Sequence, residues 1–371
     1  MSFINTVKER FYGDRYFKEH VMAEDFDWRA HRKELSPYFE EHGFCVPMMY
    51  DDYYSQLNGI HSDRYISMDL YYMYILPSLN RRDMQKAYAD KNGYSILFSG
   101  IPQPETIVKN RNGFFYDVED KFISQKDAIL TCNKEADCII KPTVETGNGV
   151  GVERFDTSSQ EAIVHQFKKY ERDFIVQKRL HQHEKMAKLN PSSLNTMRLF
   201  TYRSPDGTIN YLPGKTFLRV GGKNSVKDNG SAGGGMMRVF DDGTVGDDVV
   251  HFKSMKVTSA QADYGITGFK VPGFPDAIDF VKRLHRKVWY CDLLGWDVAV
   301  GEDGFVFIEM NMLPSCEGPQ QLSGPLFDGF LDEVMDRISC VRKSKAEFSI
   351  NRFREGFDHL LQIGGEEIYI S

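Results

Sequence analysis

The feature that most constrains this chain is a pair of apolar, β-rich runs that flank a short turn. The segment reads Leu294-Gly-Trp-Asp-Val-Ala-Val-Gly-Glu-Asp-Gly-Phe-Val-Phe-Ile-Glu-Met-Asn311. Its β-branched and aromatic residues, interrupted by an acidic and glycine turn, predict a β-hairpin. We expect a three-residue loop, Glu302 to Gly304, with the glycine in the left-handed conformation.

The register of this hairpin decides which side chains share a face. With the three-residue loop, Asp297 lies opposite Glu309, and Asn311 follows two residues later on the same side. A two-residue loop would pair Asp297 with Ile308 and mix the faces, so the hydrophobic pattern favours the longer loop. The other face is then wholly apolar, with the facing pairs Trp296 and Met310, Val298 and Ile308, and Val300 and Val306.

Two carboxylates directly opposite each other destabilise a sheet unless a positive group lies between them. Asp297, Glu309 and Asn311 together offer only oxygen ligands, which suit Mg²⁺ because this ion keeps several water or phosphate ligands. These three residues therefore predict a magnesium site. Taken alone, they fit a solvent-facing acidic hairpin equally well.

Composition limits the class of protein. The chain has 371 residues, 41% hydrophobic and 27% charged, which is typical of a soluble globular protein of two or three lobes. Its formal net charge of −7 argues against general nucleic-acid binding, which normally requires a basic surface. A local basic pocket for an anionic ligand remains compatible with this charge.

The cysteines and the apolar runs indicate the compartment. Six cysteines are scattered without CxxC spacing, which favours reduced thiols in a cytoplasmic protein over zinc sites or disulfides. The first residues contain no apolar signal core, so secretion is not expected. No run approaches eighteen apolar residues, so we expect no transmembrane segment.

A lysine followed by glycines forms the first candidate site for phosphate. The run Asp137-Cys-Ile-Ile-Lys-Pro142 predicts a buried strand, and it leads into Thr143-Val-Glu-Thr-Gly-Asn-Gly-Val-Gly151. Glycines at alternate positions let backbone N–H groups approach phosphate oxygens closely. The lysine precedes the glycines, so this is neither a Walker motif nor a dinucleotide fingerprint. A glycine-rich hairpin without ligand is the alternative.

Further candidates follow in order along the chain. The strand Phe174–Gln177 leads into Lys178-Arg-Leu-His-Gln-His-Glu184, where a strand edge over Leu180 suits a flat heterocycle and Glu184 suits a ribose hydroxyl. Arg198 and Arg219 lie within apolar strands, where a buried guanidinium needs a carboxylate or an anionic ligand. A structural salt bridge is the alternative for each arginine. Tyrosine-rich helical patches before residue 85 predict core packing.

Taken in order, these pieces resemble the ATP-grasp superfamily of carboxylate–amine ligases. The matching run extends from Asp90-Lys91 to Asn311 and covers more than half of the chain. The closer resemblance is to the sugar-transfer-associated ATP-grasp group, whose members are associated with cell-surface polysaccharide synthesis. The motifs that suggest this group are Leu79-Asn80, Ser193-Leu-Asn-Thr-Met-Arg198 and Asp228-Asn-Gly-Ser-Ala-Gly-Gly.

The resemblance implies an α+β ATP-grasp fold in which two α+β lobes grip ATP, with a helix-rich N-terminal region. It implies five segments: an N-terminal helical region (1–85), an N-terminal lobe (86–125), a central lid with the glycine loop (126–180), a C-terminal lobe with the Mg²⁺ site (181–340) and a tail (341–371). Within these segments we predict a strand at Tyr94–Phe98 and a helix at Pro275–Leu294.

The resemblance also implies roles for individual residues. Lys91 and Lys141 would contact the α- and β-phosphates, and the loop between residues 145 and 151 would close over the triphosphate. Asp297, Glu309 and Asn311 would carry two Mg²⁺ ions. Arg198, Arg219 and Lys215 are the candidate cations for charge that develops on the transferred phosphoryl group. The remaining nucleotide contacts would come from Glu145, Gly147, Gly149, Gly151, Gln177, Lys178, Leu180, His183 and Glu184.

The implied activity is that of an Mg²⁺·ATP-dependent ligase that joins a small carboxylate, free or sugar-linked, to an amine through an acyl phosphate. A functional association with glycosyltransferases would follow from the gene context of the group. The alternatives are a kinase that stops at phosphoryl transfer and a nucleotide-binding regulator of glycan synthesis that has no turnover. The chain departs from many relatives in having Trp296, where they have an arginine, and Gln177, where a glutamate is common. The first departure leaves open which arginine contacts phosphate.

Overall fold

The computed structural model describes residues 34–144, 150–222, 234–251 and 256–343. Within them the chain builds two antiparallel sheets with helices packed on their faces, and a helical N-terminal segment that covers part of the second sheet. No helix of this described part is long and apolar enough to cross a bilayer.

Most helices are short. A π-helical segment, Tyr71–Ile75, joins α3 and α4, and single 3₁₀ turns occur at Arg82–Met84, Lys91–Gly93 and Asp328–Phe330. The α-helices of the described residues are α1 (Pro37–Glu41), α2 (Met49–Asn58), α3 (Met68–Leu70), α4 (Leu76–Leu79), α5 (Gln85–Ala89), α6 (Tyr94–Leu97), α7 (Gln125–Cys132), α8 (Gln160–Tyr170), α9 (Glu184–Ala187), α10 (Ala260–Tyr264), α11 (Phe274–His285), α12 (Glu317–Ser323) and α13 (Leu331–Lys343).

The first sheet, the lid sheet, has the strand order β3-β2-β1-β6-β4-β5 among the described residues. Its back face packs against α7 and α8 through side chains such as Ile140, Val176 and Phe167. Because side chains alternate along a strand, the neighbours of these core residues point to the other face. The strands are β1 (Thr106–Arg111), β2 (Phe114–Tyr116), β3 (Phe122–Ile123), β4 (Cys138–Pro142), β5 (Glu153–Phe155) and β6 (Phe174–Lys178).

The second sheet, the large sheet, follows the order β12-β11-β10-β9-β7-β13-β14 in the described chain, and β8 pairs with β7. One face, with Leu199, Trp296 and Val298, packs against α11. The strands are β7 (Thr196–Arg203), β8 (Ile209–Tyr211), β9 (Phe217–Val220), β10 (Gly235–Arg238), β11 (Asp248–His251), β12 (Val257–Ser259), β13 (Leu293–Gly301) and β14 (Gly304–Asn311).

The opposite face of the large sheet is divided into an apolar and a polar part. Phe200, Tyr202 and Phe217 pack against the N-terminal helices, α12 and α13. Tyr54 and Tyr71 are fully buried in this cluster, so the prediction that the tyrosine-rich region forms core is confirmed. The part left uncovered by these helices carries the charged residues of the candidate site.

The hairpin differs from the prediction in one respect. Gly301 pairs with Gly304, so the loop has two residues, and the predicted three-residue loop is wrong. A bulge at Ile308 then adds one residue to β14, and beyond it Asp297 pairs with Glu309 as predicted. The pairs nearer the turn therefore differ from those predicted: Val298 faces Phe307, and Val300 faces Phe305.

Two predicted elements are also wrong. The segment Tyr94–Phe98 is helical instead of extended, because Tyr94 and Phe98 lie four residues apart and pack on one helix side with ring centroids 5.6 Å apart. The predicted helix Pro275–Leu294 ends at His285. There the Arg203 guanidinium donates hydrogen bonds to the carbonyls of His285 (3.2 Å) and Val288 (2.5 Å), which satisfies the end of the helix.

A buried hydrogen-bond chain links α11 to the large sheet. The Trp296 indole donates to Thr201 Oγ1 at 2.7 Å, and Thr201 lies 2.7 Å from His285 Nδ1. His285 Nε2 lies 2.9 Å from the Cys291 carbonyl, to which it must donate. This arrangement uses one donor and one acceptor of the ring, so it fits a neutral imidazole. Burial, and secondarily Arg203, lowers the pKa of His285 from 6.5 to about 3.

This pKa predicts an acid-sensitive fold. Below pH 6.5 His285 binds a proton in the unfolded chain, whereas in the folded chain it stays neutral down to about pH 3. The free energy of unfolding therefore falls as the pH drops. We expect a loss of about 1.4 kcal/mol per pH unit from this group between pH 6.5 and 3. Urea unfolding of the wild type and of His285→Gln at pH 7.0 to 5.0 measures it. Equal pH slopes for the two proteins would contradict the prediction.

Candidate active site

The cleft face of the lid sheet presents a row of two lysines separated by an isoleucine. Ile175 of β6 pairs with Lys109 of β1 on one side and with Lys141 of β4 on the other. The next row along the strands contains Gln177 between Thr106 and Ile139. A pocket forms where this face meets the hairpin, and its walls include Lys91, Tyr94, Thr106, Lys109, Lys141, Ile175, Gln177, Phe307 and Ile308.

Lys91 is placed by a short, capped turn. The Asp90 carboxylate accepts a hydrogen bond from the Asn92 N–H at 2.9 Å, which begins the 3₁₀ turn Lys91–Gly93. The Lys91 N–H donates to the Thr143 carbonyl at 3.0 Å, and the Asn92 amide donates to the Thr143 hydroxyl at 3.0 Å. Two sequence motifs, Asp90-Lys91 and the end of β4, are therefore joined directly.

Lys141 is a buried cation of the pocket. Its side chain is 8% exposed, and burial, together with the positive charge of Lys91, lowers its pKa from 10.5 to about 8. No acidic partner lies within ion-pair distance of Lys141 in the described part of the chain. A buried ammonium in this state binds an anion favourably, because the anion restores the lost solvation.

The bulge in β14 turns the hairpin toward this pocket. The extra residue, Ile308, lines the pocket beside Phe307, and Glu309 follows it. Glu309 forms an ion pair with Lys91, with Nζ and Oε1 2.9 Å apart. The residue predicted to bind phosphate and a residue predicted to bind metal are thus in direct contact.

Asp297 lies at the centre of a cationic cluster. Arg198 Nη2 lies 2.9 Å from one carboxylate oxygen, and Arg198 Nε donates to the other. Arg219 Nη1 lies 3.0 Å from the first of these oxygens. Burial raises the pKa of Asp297, but Arg198, Arg219 and the neighbouring Asn311 amide together lower it below its usual value. Asp297 is therefore ionised although it is only 4% exposed.

Gly295 makes room for this cluster. It lies two residues before Asp297 on the same face and pairs with Asn311. A Cβ atom at position 295 would lie 3.2 Å from Arg198 Cδ and 3.0 Å from Pro314 Cβ. Arg198 lies directly opposite Asp297 in the sheet, and its side chain passes close over Gly295. Trp296, which marks the departure from many relatives, lies on the other face in the core.

The predicted adenine hinge is brought beside the hairpin. Gln177 is 7% exposed, and its amide nitrogen lies 3.3 Å from both the Pro104 carbonyl and the Thr106 hydroxyl. The Lys178 ammonium pairs with Glu105 and Glu135, on the helix-covered side.

The hinge contacts the hairpin at two points. The His183 N–H donates to the Val300 carbonyl at 2.8 Å, and Leu180 lies beside Gly301. Glu184 is exposed and begins α9.

Other predicted residues have different surroundings. Lys215 is 3% exposed, and its ammonium donates to the Ser323 carbonyl at 2.7 Å and pairs with Asp328 at 2.8 Å. Its catalytic role stays a prediction.

The glycine loop ends at Gly151. This residue has φ 72°, and a Cβ there would lie 2.7 Å from Pro142, so the loop end needs glycine. Glu145, Gly147, Gly149 and residues 228–233 lie outside the described residues.

The sequence did not indicate Lys109 or Ile308. Lys109 is 1% exposed and pairs with Asp120 at 2.7 Å and with the Ser95 hydroxyl at 2.9 Å. The apolar pair Ile107-Val108 marks only a short strand, so the sequence did not reveal the alternation that places Lys109 in the row with Lys141. Ile308 was assigned to the core face, because a bulge leaves no mark in composition.

The donor set fits a hard divalent cation. The described residues contain no group of three His, Cys, Asp or Glu side chains that would hold a metal, but this site combines two carboxylates with an amide. Asp297 is ionised, Glu309 lies opposite it, and Asn311 lies beside it. Such an oxygen set leaves positions for water and phosphate, as Mg²⁺ requires. Asp297, Glu309 and Asn311 are the residues that would hold the ion.

A family model described as "Sugar-transfer associated ATP-grasp" matches residues 72–327. This match covers more than half of the chain. The chain belongs to the sugar-transfer associated ATP-grasp family. The fold class predicted from the motif order is thereby confirmed, and the two sheets with their helices are the α+β lobes of an ATP-grasp fold.

The chain also resembles solved structures at low identity, whereas no curated protein is matched. The ATP-grasp ligase PsnB, complexed with a minimal precursor, has 13% identity and a TM-score of 0.39, over 69% of this chain and 64% of that one. D-alanine–D-alanine ligase from Bacillus anthracis has 14% identity and a TM-score of 0.38, over 70% of each chain. The biotin carboxylase domain of the Hydrogenobacter thermophilus 2-oxoglutarate carboxylase has 14% identity and a TM-score of 0.42, over 71% of this chain and 48% of that one. The match thus covers less than two thirds of the first and third of these structures.

The lowered pKa of Lys141 predicts a pH-dependent affinity for nucleotide. Its ammonium is charged below about pH 8 and loses its proton above that pH, so the attraction to phosphate weakens. We expect the Kd for ADP to rise by up to about tenfold per pH unit above pH 8. Calorimetric titration from pH 7 to 9.5 measures this. Lys141→Arg stays charged over this range and should give a flat profile; a parallel rise in both proteins would refute the assignment.

Gly295 should not tolerate a side chain. Gly295→Ala places a methyl group against Arg198 and Pro314, so the arginine must shift away from Asp297. We expect a loss of about 1–3 kcal/mol in the free energy of unfolding. Gly329→Ala is the matched control, because a Cβ at that position meets nothing within 4 Å. Equal stability of the two variants in urea unfolding would show that Arg198 does not need this space.

Proposed function

We propose that this protein is an Mg²⁺·ATP-dependent ligase that joins a carboxylate to an amine through an acyl phosphate. The observation that carries the proposal is the 2.9 Å contact between Lys91 and Glu309. It brings Lys91, whose backbone is bonded to Thr143 at the end of β4, into contact with a carboxylate of the hairpin. An active site for phosphoryl transfer requires this meeting of phosphate-binding cations and metal-binding oxygens.

In this proposal, separate groups of residues bind the phosphates, the adenine and the ribose of ATP. Lys91 and Lys141 hold the α- and β-phosphates, and the loop that ends at Gly151 covers the triphosphate. Adenine lies in the pocket beside Gln177, between Ile175 and Ile308, both of which line it. The backbone of Lys178 and Leu180 borders its edge, and His183 and Glu184 lie near the ribose. Asp297, Glu309 and Asn311 would hold two Mg²⁺ ions, which would supply charge neutralisation for the triphosphate.

The chemistry requires cations more than a base. A substrate carboxylate oxygen attacks the γ-phosphorus, the bond to the β-phosphate oxygen breaks, and ADP leaves. Arg198 and Arg219 lie against Asp297, where they meet the charge on the transferred group. A neutral amine then attacks the acyl carbon, the carbon–oxygen bond to phosphate breaks with its electron pair going to inorganic phosphate, and the amine nitrogen gives one proton to the departing phosphate. The buried, ionised Asp297 orients both guanidinium groups before the nucleotide binds.

The substrates are proposed from the family description. Because the family is described as sugar-transfer associated, we propose that the acid or the amine belongs to a precursor of a cell-surface polysaccharide. Amino acids, amino sugars and uronic acids are the classes to screen. A functional association with glycosyltransferases in the cytoplasm belongs to the same proposal.

Removal of a metal-binding carboxylate should abolish turnover without unfolding the chain. Asp297→Asn and Glu309→Gln keep the shape of each side chain and remove its charge. We expect ADP release in the presence of a substrate pair to fall by at least about 100-fold in both variants. Glu309→Gln should keep the wild-type circular dichroism spectrum and stability, whereas Asp297→Asn should also lower the free energy of unfolding, because Arg198 and Arg219 lose their buried carboxylate. Normal turnover in either variant would exclude the metal assignment.

A matched control and a product assay complete this test. Asp51→Asn makes the same change at another buried carboxylate, on α2, which accepts a hydrogen bond from the Ser62 N–H at 2.8 Å and does not line the pocket; this variant should retain activity. Mass spectrometry then distinguishes an amide, which the ligase forms, from a stable phosphorylated product. The latter would assign a kinase instead, and no ADP release with any acid would favour a nucleotide-binding regulator.

A further inference from the structure

Asn80 makes an unusual set of contacts at the end of the N-terminal region. It follows α4 directly and is 3% exposed. Its amide nitrogen donates to the carbonyls of Leu293 at 2.7 Å and Met312 at 2.6 Å. Its amide oxygen accepts from the N–H groups of Asp292 at 2.9 Å and Leu293 at 3.0 Å. Both donors and both acceptor sites of one side chain are therefore used.

These contacts lie at the open end of the metal-binding hairpin. Leu293 is the first residue of β13, and Met312 follows the last residue of β14. The ladder between the two strands stops at the pair Gly295 and Asn311. Asn80 thus joins the strands just where their own hydrogen bonds end. Its backbone forms a β-bridge with Cys291, which fixes the approach of the N-terminal region.

We propose that Asn80 is a positioning residue for the metal-binding end of the active site. The inference rests on the proposed function, because it assigns Asn311 to the Mg²⁺ site. Asn311 is the last paired residue of its strand, and a strand end without a further ladder frays. By holding the Met312 carbonyl next to it, Asn80 keeps Asn311 and, through β13, Asp297 at a fixed separation. Groups that orient metal ligands in this way commonly affect metal affinity by 10- to 100-fold.

A merely structural amide is available for comparison in the same region. Asn58 donates to the Gln320 carbonyl at 2.7 Å and the Tyr65 hydroxyl at 3.0 Å, and accepts from the Ile60 N–H at 2.8 Å. It joins α2 to α12 and does not contact the hairpin. Asn58→Asp and Asn80→Asp therefore make the same chemical change in the same region, and only the second reaches the metal-binding hairpin.

The test is the Mg²⁺ dependence of binding of the non-hydrolysable analogue AMPPNP to the full chain. Calorimetry at a series of Mg²⁺ concentrations gives the midpoint at which binding reaches half of its full strength. We expect Asn80→Asp to raise this midpoint by at least about tenfold and Asn58→Asp to leave it at the wild-type value. Binding without Mg²⁺, which depends on Lys91, Lys141 and Gln177, should be equal in all three proteins.

A second variant and a structural measurement protect the test against misfolding. Asn80→Ser removes the bridge without adding charge, and hydrogen exchange of the backbone from 291 to 313 should be faster in it than in Asn58→Asp. A wild-type midpoint in Asn80→Ser, or an equal shift in Asn58→Asp, would overturn the inference. If wild-type binding does not respond to Mg²⁺ at all, the proposed function itself is overturned. If the wild type responds to Mg²⁺ and the Asn80 variants bind AMPPNP with the same Mg²⁺ midpoint, only the proposed role of Asn80 is rejected.

Discussion

The buried Asp297 carboxylate is the constraint on which the rest of the cleft depends. An ionised carboxylate in the middle of a sheet must be compensated, or the fold loses several kcal/mol. Arg198 on β7 and Arg219 on β9 provide this compensation, and Gly295 leaves the space in which Arg198 reaches it. One charge thus determines residue types on three strands of the large sheet.

The alternating pattern of the sequence was sufficient to place the polar row of the hairpin. Asp297, Glu309 and Asn311 share a face because a one-residue shift would have turned an apolar row toward the cleft and an acidic row toward the helix-covered core. The same pattern could not show how the register is achieved. A two-residue loop followed by a bulge at Ile308 gives the same pairing at Asp297 as a three-residue loop, and the bulge itself turns Ile308 into the pocket.

What the sequence could not show depends on packing between distant segments. The spacing of Tyr94 and Phe98 is compatible with a strand or a helix until Phe307 and Trp296 pack against them. Trp296 likewise marked a missing arginine, and the structure explains it: position 296 faces the core, where the indole bonds to Thr201. The arginines that approach Asp297 come from neighbouring strands, which only tertiary structure can bring together.

The arrangement of charges also bears on how a nucleotide would enter. In the described cleft Asp297 and Glu309 already hold Arg198, Arg219 and Lys91, so these groups are desolvated before any ligand arrives. Lys141 is the exception among the cleft cations described, since its charge is buried without an acidic partner within ion-pair distance. Burial and the nearby charge of Lys91 lower its pKa.

On the proposed function, a phosphate at Lys141 supplies the missing negative charge. The other cations then exchange a carboxylate for a phosphate oxygen, which changes their partner but not their environment. Most of the desolvation cost of the site is therefore met during folding, and the attraction between nucleotide and cleft is concentrated at Lys141.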